Sequence, residues 1–149
     1  MKYIAIITLA LLVSSNLHAQ IATNTEMKDS TNIYFQAYKV YCKQQKENNS
    51  PLLVEENNIT TKSLPLECFG HKTEITNIDK LQLLVKERKK VQLLRLVPLR
   101  IKDGSFFVNI VVFNVERKGK QFDFINAGGI SVVFEYDSNS KLFIFKEIR

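Results

Sequence analysis

The chain has 149 residues, 45% of them hydrophobic and 24% charged, with a net charge of +6. That length holds one domain with a real core but not two comfortable ones. The basic excess is too modest for a nucleic-acid signature.

Residues 1–19 read as a signal peptide. Lys2 supplies the positive start, residues 4–13 form an apolar run broken only by Thr8, and a polar stretch leads to the small residue Ala19. The run is shorter than the roughly 18 to 20 residues that cross a bilayer. No cysteine follows Ala19 directly, which argues against a lipid anchor. The expectation is an exported chain, periplasmic or extracellular, with no membrane span. Residues 20–29 are polar and aperiodic and read as a flexible lead-in, followed by a single α+β domain over 30–149.

Asp29, Ser30 and Thr31 offer capping oxygens for a first helix over about 31–47, in which Ile33, Ala37, Val40 and Tyr41 recur at helical spacing. Two short extended pieces follow, "LLVEEN" and "SLPLECFG", the second kept off a central strand position by Pro65. A second helix is capped by Thr76 or Asn77, lined by Ile78, Leu81, Leu84 and Val85, and closed by "KERKK", whose charges suit the negative end of the helix dipole.

From Val91 the period becomes that of strands. "VQLLRLVPLRIK" and "SFFVNIVVFNVE" flank Asp103-Gly104, a strong hairpin signal because a type I′ turn needs positive φ twice. "QFDFINAGGISVVFEY" and "KLFIFKEI" continue the sheet after the turns "RKGK" and "DSNS". The expected fold is therefore two helices packed on a curled four-stranded antiparallel meander. The 106–115 strand is apolar on both faces, so both should be covered: one by the first helix, the other by the second helix, the 52–69 segment or another subunit.

The order helix, irregular segment, helix and curled meander resembles the cystatin-like superfold, in particular its nuclear-transport-factor-2-like branch. The resemblance rests on element order over most of the chain after residue 19. It implies a half-open sheet around a helix, with a pocket at one end and a dimer through the outer face of the sheet.

Gly128 and Gly129 are followed by a strand rather than a helix, and G-x-G-x-x-G is absent. That pattern fits a bulge, not a phosphate cradle, although Asn126 beside it could rim a pocket. Tyr34, Tyr38 and Tyr41 form a helical stripe that reads as core, or as the wall of a ligand cavity. His18 leaves with the leader, so His71 is the only remaining histidine. Three-histidine metal sites are thereby excluded, and the spacing of Cys68 to His71 reads as a surface histidine beside a bridged or buried cysteine.

Cys42 and Cys68 are open to two readings, a disulfide or a pair of buried thiols. In an oxidising compartment a bridge closing about 27 residues would stabilise the fold by roughly 3.5 kcal/mol. Glu135 and Asp137 lie two apart and read as a strand end with a turn rather than an acid–base pair. Lys86, Arg88, Lys89 and Lys90 offer an anionic partner a basic patch, or simply end a helix. No aromatic residue falls within 91–102 to stack on bases, so nucleic acid is not an expected partner.

The functional expectation is a non-catalytic binding module, without cofactor or metal, that associates with itself or another protein. A small ligand is the third option. The alternative is a pocket-containing ligand carrier or enzyme of cystatin-like fold, using Tyr34, Tyr38, His71 and Glu135.

Overall fold

The computed structural model describes residues 32–46 and 50–149. The expected signal peptide and lead-in lie outside the described residues. Helix α1 (Ile33–Gln44) starts at Asn32, whose side-chain oxygen accepts from the N–H groups of Tyr34 and Phe35 at 3.0 and 3.2 Å. Two of the free donors of the first turn are thereby satisfied. Helix α2 (Ile78–Arg88) is capped in the same way, Asn77 accepting from Lys80 N–H at 3.0 Å, and ends at Lys89.

Among the described residues eight strands accompany the helices: β1 (Leu52–Glu55), β2 (Glu67–Cys68), β3 (His71–Thr76), β4 (Lys90–Leu96), β5 (Arg100–Lys102), β6 (Ser105–Lys118), β7 (Gln121–Asp137) and β8 (Leu142–Ile148). They form one sheet in the order β2-β3-β1-β4-β6-β7-β8, with β5 paired to β6. Strands take 52% of the described residues and helices 20%, so the sheet dominates.

This corrects the four-stranded antiparallel meander expected from the sequence. The sheet is mixed, because β1 runs parallel to both β3 and β4. A parallel neighbour needs a crossover instead of a tight turn, and the path β3–α2–β4 supplies it, stepping over β1. The cystatin-like resemblance relied on the meander and is set aside with it. The segment "HKTEIT" is strand β3, and β2 turns into it through Phe69 and Gly70, with φ of 51° and 77°. The predicted strand over 91–102 is two strands, interrupted by the Pro98 segment. There Tyr34 Oη accepts from Leu99 N–H at 3.2 Å.

Neighbouring side chains on a strand serve opposite faces, and here the two faces carry different helices. Val54, Leu94, Val108, Ile110 and Val132 pack under Ala37, Tyr38 and Cys42 of α1. Leu53, Val91, Leu93 and Val115 pack under Leu81 and Val85 of α2. The two-sided apolar pattern of β6 is thus used by α1 on one face and, near its C-terminal end, by the α2 core on the other.

The Asp103-Gly104 hairpin has the two positive φ values it needs, 50° and 73°. The glycine pair of β7 occupies a register shift. Val111 pairs with Gly129 and Phe113 with Asn126, leaving Val112 opposite both Ala127 and Gly128. A Cβ on Gly129 would lie 2.2 Å from the Ile110 carbonyl oxygen. Only a residue without a side chain admits that approach, so these glycines bend the strand.

Candidate functional site

The residues suspected of forming a ligand pocket do not converge. His71 lies on β3, and Asn126 and Glu135 lie on β7, with β1, β4 and β6 between them. Four strand spacings amount to about 19 Å. Tyr38 is fully buried on the inner face of α1, where its hydroxyl shares a 3.0 Å hydrogen bond with Thr73 Oγ1. Burial pushes its phenol well above the usual tyrosine range, and pushes that of Tyr41 up to about 12. Asn126 is exposed and turns its side-chain oxygen onto Gly128 N–H at 2.8 Å, supporting the bulge.

The two suspected carboxylates also have structural tasks. Glu135 pairs with Lys146 across β7 and β8. Asp137 accepts from the Ser140 hydroxyl at 2.6 Å and from the Asn139 and Ser140 N–H groups at 3.1 and 3.2 Å. Those bonds, the hydroxyl first, hold its carboxyl below the usual aspartate range. A carboxyl held ionised by a turn is a poor proton donor near neutral pH.

His71 is the clearest departure from the sequence expectation. The sequence reads it as a surface residue, but it is buried at 1% exposure, and its Nδ1 has no hydrogen-bond partner among the described residues. Its strand partner is Cys68, and the two flank the Phe69–Gly70 turn. Cys68 and Cys42 are free and buried in the core beneath α1. The interaction of the two thiols raises Cys42 and lowers Cys68; burial adds to the first shift and opposes the second. The sequence leaves open a disulfide or two buried thiols for this pair, and the structure holds the second. Among the described residues no group of three or more His, Cys, Asp or Glu side chains is placed to hold a metal.

The basic segment runs from the end of α2 into β4. Lys90 is paired with Glu116 at 3.2 Å. Arg88 and Lys90 border a hollow of about 310 Å³ whose other walls include Tyr41, Gln45, Pro51 and Gln92. Lys86 and Lys89 are exposed and do not line it. The four cations therefore do not form one patch directed at one point.

The remaining feature is the free side of β8. Among the described residues this strand pairs with β7 along one side only and ends the sheet. Leu142, Ile144, Phe145 and Ile148 are exposed on it, and Tyr136 is exposed on β7 beside it. Phe143 turns inward, its ring 5.2 Å from Phe106 and 5.4 Å from Tyr136. The charges of the segment are satisfied within the chain, Lys146 by Glu135 and Arg149 by Glu147. No family model, no curated protein and no solved structure matches the chain.

Proposed function

We propose that this protein is an exported, non-catalytic interaction module that assembles with a second copy of itself along the outer edge of β8. One observation carries the reading: a seven-residue edge strand with four exposed apolar side chains and no proline. Edges of this kind pair with other chains unless they are shortened, charged or covered. A partner strand would satisfy the free backbone groups of β8 and bury Ile144 and Phe145 at the same time.

A second copy is favoured by charge. The whole chain carries +6, which opposes self-association at a distance. Along β8, however, Lys146 and Arg149 are each matched by a carboxylate of their own chain. Two such edges can approach with little like-charge repulsion. The non-catalytic part of the reading is supported by Tyr38 and His71 being sealed in the core and by Glu135 and Asp137 being engaged in pairing and turn formation.

The test is a native mass spectrum of the chain lacking residues 1–19, with sedimentation at micromolar concentration. A dimer is expected, and Ile144→Lys should convert it to a monomer with an unchanged circular dichroism spectrum. A wild-type monomer across that concentration range overturns the proposal, and a retained small molecule would favour a ligand carrier instead.

A further inference from the structure

Cys42 and Cys68 lie 26 positions apart in the chain and meet at the opposite side of the sheet from β8. Cys42 belongs to the last turn of α1, and Cys68 ends β2, a strand of two residues. Both are buried in one core, and both thiols are free. They are also the only cysteines of the chain.

We propose that Cys42 and Cys68 are a reversible dithiol that closes into an intramolecular disulfide, tying α1 to the β2–β3 hairpin. Their settings assign the roles. Cys68 retains 6% exposure and precedes Phe69 and Gly70, both exposed in the turn, whereas Cys42 is enclosed at 1%. Two ladder pairs, Glu67–Lys72 and Cys68–His71, and one bond beyond them from Thr73 N–H to the Leu66 carbonyl hold this hairpin, so a small opening at its turn uncovers Cys68 first. Cys68 is the attacking thiol and Cys42 the resolving one. The lowered proton affinity of Cys68 and the raised one of Cys42 agree with this order.

The oxidant is a low-molecular-weight disulfide, for which oxidised glutathione serves as the probe. The Cys68 thiolate attacks one glutathione sulfur, the glutathione S–S bond breaks, and one glutathione thiolate leaves. The Cys42 thiolate then attacks the Cys68 sulfur of the mixed disulfide and displaces the second glutathione. Two protein thiols are oxidised, one glutathione disulfide is reduced to two thiols, and the two protons of the protein thiols pass to the departing glutathione thiolates. Reduced glutathione in excess reverses both steps. This chemistry is independent of self-association through β8.

The full chain after residue 19 is equilibrated in glutathione mixtures of stepped ratio, denatured, alkylated and weighed. At the oxidising end, the expected product has no alkylated thiol, no retained glutathione and a mass lower by two hydrogens. Its melting midpoint should rise by roughly 10 °C over the reduced form, a rise that reductant abolishes. Cys42→Ser should trap glutathione on Cys68 at least 10-fold faster than Cys68→Ser traps it on Cys42. Two alkylated thiols at the oxidising end, or a bridge between chains, overturns the dithiol. Equal trapping in the two variants overturns the assignment of roles. The thiol count on the unsubstituted chain needs no variant to fold.

Discussion

The two edges of the sheet are managed in opposite ways. At one edge stands β2, two residues long, with its cysteine turned under α1. At the other stands β8, seven residues long, carrying Leu142, Ile144, Phe145 and Ile148 exposed. A strand of two residues offers almost no template for another chain, and a strand of seven offers a full one. Exposed apolar side chains occur near both edges, since Leu66 and Phe69 flank β2. Apolar exposure alone therefore does not define an interface. It counts where a row of free backbone groups runs beside it.

The contrast can be broken most severely from within β7, the strand that supports β8. Gly129→Ala would place a methyl carbon 2.2 Å from the Ile110 carbonyl oxygen at φ +149°. Separating β6 from β7 there should cost about 3 kcal/mol or more, read as a shift of the urea unfolding midpoint. Gly128→Ala has open space but φ +109°, and should cost only about 1 kcal/mol. Equal costs would mean that close packing at the bulge is not what fixes the register.

An alkaline titration probes how well the β2 side is sealed. Tyr38 and Tyr41 are raised above the ordinary tyrosine value of 10.0 chiefly by burial, Tyr41 to about 12. The fold therefore favours the neutral phenols. Their contribution to stability is complete below about pH 10 and is lost as pH rises towards 12, where the unfolded chain ionises and the folded one resists. Absorbance of phenolate should show at least two tyrosines ionising only with unfolding. A titration in which all tyrosines ionise together near pH 10 on the folded chain would contradict that sealing.

The smallest effect is expected at the short edge. Leu66→Lys alters a side chain that is 73% exposed, and it should leave stability within about 0.5 kcal/mol. The mass measured in native conditions should also be unchanged. Phe145→Lys, at the long edge, should be equally harmless to the monomer fold and yet abolish the dimer. If Leu66→Lys also dissociates the dimer, the difference between the edges is not the one that matters.

The sequence disclosed those parts of the fold whose signals are local. Asn77 before a 3.6-residue apolar period marked α2, and Asp103-Gly104 marked the turn into β6, because each is decided by residues within a few positions. The glycine pair was legible as a bulge for the same reason. Strand β1 was seen only as an extended piece and β3 went unread, because parallel pairing leaves no turn signature; their partners are set by a crossover through α2. The hairpin between β2 and β3 escaped because Phe69, not asparagine or aspartate, takes the first positive φ.

The candidate sites followed the same division. Periodicity gave core as one of two readings for Tyr38, which is where the structure places it. The burial of His71 was hidden by its polar neighbours Lys72 and Glu74, which leave a strand looking like a loop. The meeting of Cys42 with Cys68 is a long-range event, and the exposure of β8 follows from its being last in the sheet order. Neither is written in the composition of the segment concerned.

The joint between β1 and β4 bears on how the chain reaches this state. A single ladder pair, Val54 with Leu94, links these strands, reinforced by the fork between Glu55 and Arg95 and by the Arg95 guanidinium 4.8 Å from the centre of the Phe113 ring. By contrast, β6 and β7 pair along nearly their whole length. Helix α1 rests on Val108, Ile110, Val132 and Phe134, residues made some 70 to 100 positions after it. Strand β1 finds β3 nearby in the sequence, but α1 gains much of its core contact only once the last hairpins exist. Docking of α1 is therefore complete only after the last hairpins form, and a chain interrupted before residue 134 should leave α1 open to proteases however long it waits.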